Sequence, residues 1–359
     1  MRRPLVLGIE TSCDDTACAV LDGEGRVLSS VVSSQLASHR PYGGVVPEIA
    51  SREHLSNWPR VSAEALERAG VPLQDVDLIA ATRGPGLIGA LLVGLSIGKS
   101  IAFALDRPFH AVHHLEGHLY SPFLPPKGSS GPAEPPPERF VGLVVSGGHT
   151  SLFAVEDGRV ETLGETRDDA MGEVFDKVGK RLGLPYPQGP KVDELAELAP
   201  LENPAVRRFP TPLCGDTLDV SYSGLKSQTL LEIEKLERDL GPLDLGGMAD
   251  ADIPRPVLDL LAGFRAATVA QLLDRLDRLH QLRPFSVLAV SGGVAANRLL
   301  RRELPLWAER NGVDLRLVPL VYSGDNAAMI AHAALLRQRR GQADDPFAAE
   351  AESRIPLTP

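Results

Sequence analysis

The sequence predicts an α/β protein made of two related lobes, each a sheet interleaved with helices. A hairpin grammar occurs twice. Residues 5–9 are apolar, Glu10-Thr-Ser-Cys-Asp-Asp15 is a polar tip, 16–21 are apolar again, and Asp22-Gly23 turns. About 135 residues later, 140–145, Ser146-Gly-Gly-His-Thr150, 151–155 and Asp157-Gly158 repeat that order. Two copies imply two related lobes, whereas a solenoid needs at least three. Strand-then-helix units fill the remaining sequence, which favours mostly parallel sheet covered on both faces. The length, 359 residues, is that of two or three ordinary domains.

The elements follow in order. After the first hairpin, residues 76–81 read as a buried strand and 84–105 as a segment ending in one continuous helix. A membrane span needs about 20 apolar residues. This segment is interrupted by Gly86, Gly89, Gly94, Gly98, Ser96 and Lys99, so it reads as a core helix. Residues 122–139 hold seven prolines (122, 125, 126, 132, 135, 136 and 137) and read as a linker between the lobes. After the second hairpin, 287–290 is a strand, Ser291-Gly-Gly-Val-Ala-Ala-Asn297 a glycine loop, and Arg298 opens a helix. A strand at 315–318 and a helix at 326–339 follow, and the acidic tail from Gln342 reads as a strap or frayed end. The expected division is a first lobe 1–121, linker 122–139, second lobe 140–320, and a returning helix with tail, 321–359.

Composition narrows the function. Lys plus Arg total 37 against 47 acidic residues, a net charge of −10. Such a chain does not hold nucleic acid by bulk charge. The three cysteines, Cys13, Cys18 and Cys214, show neither a disulfide framework nor zinc-knuckle spacing, which fits a reducing compartment. Glu10, Asp14 and Asp15 break the first apolar run too early for a secretory leader. The expectation is a cytoplasmic chain with no membrane attachment.

Two tempting glycine motifs fail on context. Gly84-Pro-Gly-Leu-Ile-Gly89 matches a dinucleotide fingerprint, but no second strand fits before Asp106, where the acidic residue should stand. Gly98-Lys-Ser100 lacks the P-loop glycine, since Val93 occupies its place. The better anion seats are Ser146-Gly-Gly148 at a hairpin tip and Ser291-Gly-Gly293 before a helix, where backbone N–H groups stand open.

Four of the nine histidines, His110, His113, His114 and His118, lie within one short stretch. In a helix, His114 and His118 share a face at i and i+4 and can chelate one transition metal. The alternative is a structural cluster. Glu116 stands one place too late for the H-E-x-x-H peptidase arrangement. Asp325, at a helix start, is a candidate third ligand, or else a simple N-cap.

An ordered set of motifs then resembles a known family. The set comprises Gly8-Ile-Glu-Thr-Ser-Cys-Asp-Asp-Thr16, Tyr42-Gly-Gly-Val-Val-Pro-Glu48, Gly84-Pro-Gly-Leu-Ile-Gly-Ala90, His113-His-Leu-Glu-Gly-His118 and Val145-Ser-Gly-Gly-His-Thr150. It continues with Phe175-Asp-Lys177, Tyr222-Ser-Gly-Leu-Lys226, Ser291-Gly-Gly-Val-Ala-Ala-Asn-Arg298 and Ser323-Gly-Asp-Asn326. Together they resemble the tRNA N6-adenosine threonylcarbamoyltransferases, the TsaD family, formerly Gcp or O-sialoglycoprotein endopeptidase, from about residue 5 to 335.

The resemblance implies a duplicated actin-like, sugar-kinase-like (ASKHA) fold with a cleft between two lobes. It implies transfer of the threonylcarbamoyl group of threonylcarbamoyl-AMP to N6 of the adenosine beside the anticodon. His114, His118 and Asp325 would hold one divalent metal, iron or alternatively zinc. Val144, Val145, Ser146, Gly147, Gly148, Asp176, Gly189, Asp193 and Asn297 would hold the adenylate. Gln188 stands where relatives usually have glycine, which puts the local backbone in question but keeps Gly189. The implied partners are tRNA, a paralogue, TsaB, and an ATPase, TsaE, with a separate synthase making the adenylate.

The donor is already activated, so no protein nucleophile is required, and neither Cys13 nor Cys18 has a histidine partner evident in sequence. The competing readings are an ATP-dependent phosphotransferase of the sugar-kinase type, with Asp14 or Asp15 as base, and a metal-dependent peptidase. A partner surface is expected around residues 58–66, on Trp58, Val61, Ala65 and Leu66. The basic runs Arg298, Arg301, Arg302 and Arg337, Arg339, Arg340 read from charge as solvated helix faces.

Overall fold

A computed structural model describes residues 4–357 apart from 127, 130, 204, 211–214 and 343. Cys214 therefore lies outside the described residues. The chain forms two compact units, Met1–Pro137 with Leu317–Pro359, and Glu138–Arg316.

Unit 1 opens with β1 (Leu5–Glu10), β2 (Asp15–Asp22) and β3 (Val27–Ser34), followed by the short α1 (Leu36–His39) and the long α2 (Pro47–Ala69). Then come β4 (Leu78–Gly84), α3 (Ile88–Leu105), β5 (Phe109–His113) and α4 (His114–Tyr120). The strand order is β3-β2-β1-β4-β5. β1 runs antiparallel to β2, with Ile9 opposite Cys18, and parallel to β4, with Ile9 opposite Ala81. The sheet is thus mixed, not mostly parallel. The reason is local: tips and turns of a few residues, such as Gly25 N–H donating to Asp22 O at 2.8 Å, can join only antiparallel strands.

Val61 and Ala65 of α2 are fully buried in the core with Ile9, Cys18 and Ile79, and Trp58 and Leu66 pack partly buried against it. This corrects the expected partner surface: that face of α2 covers the sheet. The exposed apolar side chains of the α2–α3 region are instead Leu55, Ile88, Leu92 and Phe103.

Unit 2 repeats the plan. It contains β6 (Arg139–Val145), β7 (Thr150–Glu156), β8 (Arg159–Glu165), α5 (Met171–Arg181), α6 (Gly189–Glu197), α7 (Ser223–Leu240) and α8 (Arg255–Leu282). β9 (Val287–Ser291), α9 (Arg298–Asn311) and β10 (Asp314–Leu317) follow, in strand order β10-β9-β6-β7-β8. β6 is antiparallel to β7, with Val145 opposite Thr150, and parallel to β9, with Val144 opposite Ser291. Both hairpins therefore extend into three-stranded meanders through their matching exits.

The chain then rejoins unit 1 as α10 (Ala327–Arg339). α10 lies so close to β1 that a Cβ at Gly8 would sit 2.3 Å from Ala327 O, and one at Gly117 would sit 2.9 Å from Ile330 Cδ1. Those two glycines let the start of α10 close on β1 and α4, which brings Asp325 to the histidines. The tail is a strap: Glu352 N–H donates to Arg83 O at 2.9 Å, Gly86 N–H to Ser353 O at 3.3 Å, and Lys99 Nζ to Ala349 O. The proline-rich stretch packs with unit 1 in its first part, where Pro122, Phe123 and Leu124 are buried.

α3 and α8 are each long and apolar enough to cross a membrane by length and composition. Most of α8 is buried inside its unit, and α3 turns Ala90, Leu91, Gly94, Leu95, Gly98 and Ala102 inward. α3 also runs unbroken to Leu105, with Asp106 in its left-handed C-cap, so the dinucleotide fingerprint has no second strand.

Candidate metal centre and glycine-lined pocket

In unit 1, β5 ends directly in α4, and the His113 ring caps that helix by accepting the Leu115 N–H at 3.1 Å. The turn places His114 and His118 on one buried face, their rings 4.7 Å apart and nearly perpendicular. Asp325 Oδ1 lies 3.2 Å from His118 Nε2 and 3.4 Å from His114 Nε2. The three ligand atoms fall within 4.8 Å of one another, a donor set of two imidazoles and a carboxylate that suits a first-row transition metal. Asp325 is not the N-cap of α10. Asn326 is, its side chain accepting the Met329 N–H at 3.0 Å. Asp325 is thereby released to face the histidines.

Around this set the charges call for a cation. Burial works against a charged His114, but Asp325 and Glu10 on either side raise it to about 10. Burial keeps His118 neutral, below its ordinary range. Burial resists ionisation of Asp325, yet the two imidazoles hold its carboxyl well below the carboxylate range. Burial, together with Asp325 and Asp14, pushes Asp15 up to about 7. Two carboxylates, Glu10 and Asp325, so flank the pair of histidines, and Asp15 feels the charges of Asp325, Asp14 and Glu10, a cluster that a divalent ion would relieve.

Neither Cys13 nor Cys18 is set up as a nucleophile. Burial and the neighbouring Asp14 and Asp325 drive the Cys13 thiol far up, and burial pushes Cys18 up to about 12. Glu116, out of place for a peptidase base in sequence, is engaged elsewhere: its carboxylate takes the Arg337 guanidinium at 2.5 Å. Arg337 is therefore a largely buried partner and not a solvated residue. Its neighbours Arg339 and Arg340 reach Gly23 O at 2.7 Å and the Tyr120 ring at 5.4 Å.

In unit 2, a cavity of about 280 Å³ is lined by Gly147, Phe175, Asp176, Gly189, Asp193, Asn297 and neighbouring residues. That is close to the lower end, about 300 Å³, of small-molecule sites. Asp176 Oδ1 accepts the Gly189 N–H at 2.7 Å, tying α5 to the start of α6. Asp193 accepts from Asn297 Nδ2 at 2.7 Å, from the Arg298 N–H at 3.1 Å and from the buried Arg265 at 3.2 Å. Asn297 in turn caps α9 by accepting the Leu300 N–H at 2.9 Å. A Cβ on Gly147 or Gly148 would meet nothing within 4 Å, so both leave open space at the tip. Gly292 is different: its φ is +92°, and a Cβ would lie 2.2 Å from Val145 O. Its glycine is demanded by the protein's own packing.

Of the expected adenylate residues, Gly147, Asp176, Gly189, Asp193 and Asn297 line this cavity, while Val144, Val145, Ser146 and Gly148 are outside its lining. Val144 and Val145 are fully buried strand residues. Gln188 has ordinary helical backbone and a buried side chain; a Cβ on Gly179 would lie only 2.5 Å from Gln188 Cβ, so Gly179 makes its room. Sequence reasoning missed Arg265 beside the cavity and Thr82 behind His114, and quoted Phe175, Glu10 and Ser12 only within motifs, with no role given to them. The one available signal was Glu10, an acid ending an apolar strand.

Residues 26–332 match the family model described as TsaD, tRNA N6-adenosine threonylcarbamoyltransferase. A protein of that name from Pelobacter propionicus is 49% identical over 91% of this chain and 90% of its own. Another, from Thermus thermophilus, is 46% identical over 99% of both. Among solved structures, T. kodakarensis HypF aligns at a TM-score of 0.58 and 15% identity, over 95% of this chain and 48% of that one. The Acidaminococcus fermentans (R)-2-hydroxyglutaryl-CoA dehydratase component A aligns at 0.51 and 13%, over 94% and 98%. These two likenesses speak for the fold alone, the duplicated actin-like, sugar-kinase-like architecture. With the family model covering most of its length and close relatives matching end to end, the chain belongs to the tRNA N6-adenosine threonylcarbamoyltransferase family.

Proposed function

We infer that this chain transfers a threonylcarbamoyl group from threonylcarbamoyl-AMP to N6 of the adenosine beside the anticodon of tRNA. The observation that carries the site assignment is the convergence of His114, His118 and Asp325. The metal ligands belong to unit 1, and the adenylate seat we propose, around Gly147, Asp176, Gly189, Asp193 and Asn297, belongs to unit 2. Gly148, Ser146, Val144 and Val145 contribute the strand end and tip that shape it. A bound divalent ion, iron or zinc, would act as a Lewis acid on the threonylcarbamoyl oxygens.

The chain's own residues do the rest by positioning, which supplies on the order of 7–11 kcal/mol at best. The open N–H groups of Gly147 and Gly148 receive the donor's anionic portion, and Asp193, held by Arg265, fixes Asn297 at the head of α9. The adenine amine attacks the carbonyl carbon, the C–N bond forms as the C–O bond to phosphate breaks, and AMP leaves with the electron pair. The attacking nitrogen gives up its proton to solvent or phosphate. An anticodon-loop base splayed from its neighbours can reach such a site.

tRNA, the paralogue TsaB and the ATPase TsaE are the partners we propose, in the cytoplasm. The net charge of −10 supports shared tRNA binding, as do internally engaged arginines such as Arg302, paired with Glu197 at 2.6 Å, and Arg337. The test is AMP release and tRNA modification under multiple turnover, with and without the partners, at two salt concentrations. A salt-sensitive, partner-dependent rate is expected, and equal rates from the lone chain would remove the partner requirement.

A further inference from the structure

Glu10 ends β1 fully buried, directly behind the proposed metal centre. A carboxylate so placed is costly unless each oxygen is matched. Here both are. Oε1 accepts the Ser12 N–H at 2.5 Å, and Oε2 accepts the Thr82 hydroxyl at 2.6 Å. Oε2 also faces His114 Nδ1 at 3.1 Å. One carboxylate thus joins the hairpin tip, β4 and α4. With the Nδ1 proton directed at Glu10, the opposite nitrogen, Nε2, turns towards Asp325 Oδ1, 3.4 Å away. The two histidines are unequal in this respect: among the described residues His118 Nδ1 is buried with no hydrogen-bond partner. His118 meets Asp325 through Nε2 only, whereas His114 Nδ1 faces Glu10 Oε2 at 3.1 Å and, further off, the Ser12 hydroxyl at 3.3 Å.

We propose that Glu10 is a positioning residue for the metal centre, fixing the ring orientation and tautomer of His114 so that Nε2 is presented as ligand. The arrangement is a carboxylate–histidine–metal relay, in which the supporting carboxylate also raises the basicity of the ligand nitrogen. Thr82 and Ser12 hold the carboxylate in place against the His114 ring. The inference rests on the metal reading above.

The test is Zn2+ affinity of the full chain by chelator competition, with Glu10→Gln as the near-isosteric variant. Two-dimensional 15N–1H spectra of the histidine rings in the Zn2+-loaded protein supply a second readout. Expected is one tight Zn2+ per wild-type chain, and about a 10–100-fold weaker affinity in Glu10→Gln. The His114 Nδ1–H signature should be lost or shifted while that of His118 is unchanged. Glu10→Asp should not restore the affinity, because the shorter side chain withdraws from Nδ1. Should Glu10→Gln fail to fold, Thr82→Val, which removes one anchor of the carboxylate, should still weaken Zn2+ binding several-fold. A wild type that binds no Zn2+ would remove the metal reading itself. A wild type that binds it, with folded variants of equal affinity and unaltered His114 spectra, would overturn the role of Glu10 alone.

Discussion

His118 Nε2 lies 3.2 Å from Asp325 Oδ1, although the two residues belong to segments far apart in the chain. The contact exists because Gly8 and Gly117 admit α10 against β1 and α4. Replacing His114, His118 or Asp325 by Ala should therefore lower bound metal and transfer activity together. Each loss should exceed the roughly 10–100-fold cost of a supporting residue. Metal analysis of the purified variants checks this. Full occupancy in the His114→Ala/His118→Ala double variant would sink the assignment.

The glycines should separate by role. Gly292→Ala forces a side chain into left-handed backbone against Val145 O and should destabilise unit 2, on the order of 1–3 kcal/mol. A Cβ at Gly147 would meet no protein atom within 4 Å, so Gly147→Val should keep its stability while AMP affinity drops about tenfold. Urea unfolding and calorimetry with AMP distinguish the two. Unchanged AMP affinity in Gly147→Val would count against an adenylate seat at that tip.

Glu116 and Arg337 form a largely enclosed pair, with Arg337 also bonded to Asp344 at 3.2 Å, that ties α4 to α10 and the strap. Glu116→Gln leaves the guanidinium without its main counter-charge and should cost about 3 kcal/mol. A change below about 0.5 kcal/mol in urea unfolding, the size of an ordinary surface substitution, would show that the pair is not structural.

Much of this was legible before the coordinates. The hairpin repeat was visible because buried central strands such as β1 and β2 leave unbroken apolar runs ending in polar tips. The histidine pair was visible because helical spacing alone puts His114 above His118. Asp325 could be named only as a candidate, since its approach depends on the close packing of α10. Both hairpin pairings were read correctly, but the share of parallel sheet was overestimated because helix alternation says nothing about the third strand that extends each hairpin into a meander. The 58–66 surface failed because apolar spacing identifies a buried face without saying what buries it. Glu10, Thr82 and Arg265 received no role because their partners lie far off in sequence.

His332 on α10 carries a pH signature. Burial first, and then Arg339, depress it from 6.5 to about 4, although a hydrogen bond to the Tyr120 backbone works the other way. The folded chain keeps this ring neutral, while the unfolded chain takes up a proton below about pH 6.5. Its contribution is therefore intact above that pH, shrinks as pH falls, and is gone below about pH 4. At about 1.4 kcal/mol per pH unit, the loss is on the order of 3 kcal/mol. Stability measured by urea unfolding from pH 7 to pH 4 should fall less steeply in His332→Gln. Parallel curves would show that His332 titrates normally.

The most direct measurement is a mass balance on tRNA. Unmodified tRNA is incubated with threonylcarbamoyl-AMP, the metal-loaded chain and its proposed partners. The tRNA is then digested to nucleosides for mass spectrometry, and free AMP is counted in parallel. The expected result is N6-threonylcarbamoyladenosine in amounts equal to the AMP released, absent when the chain is omitted or carries His114→Ala/His118→Ala. AMP release with no modified nucleoside, or modification at the same rate without the chain, would contradict a threonylcarbamoyl transfer carried out by this protein.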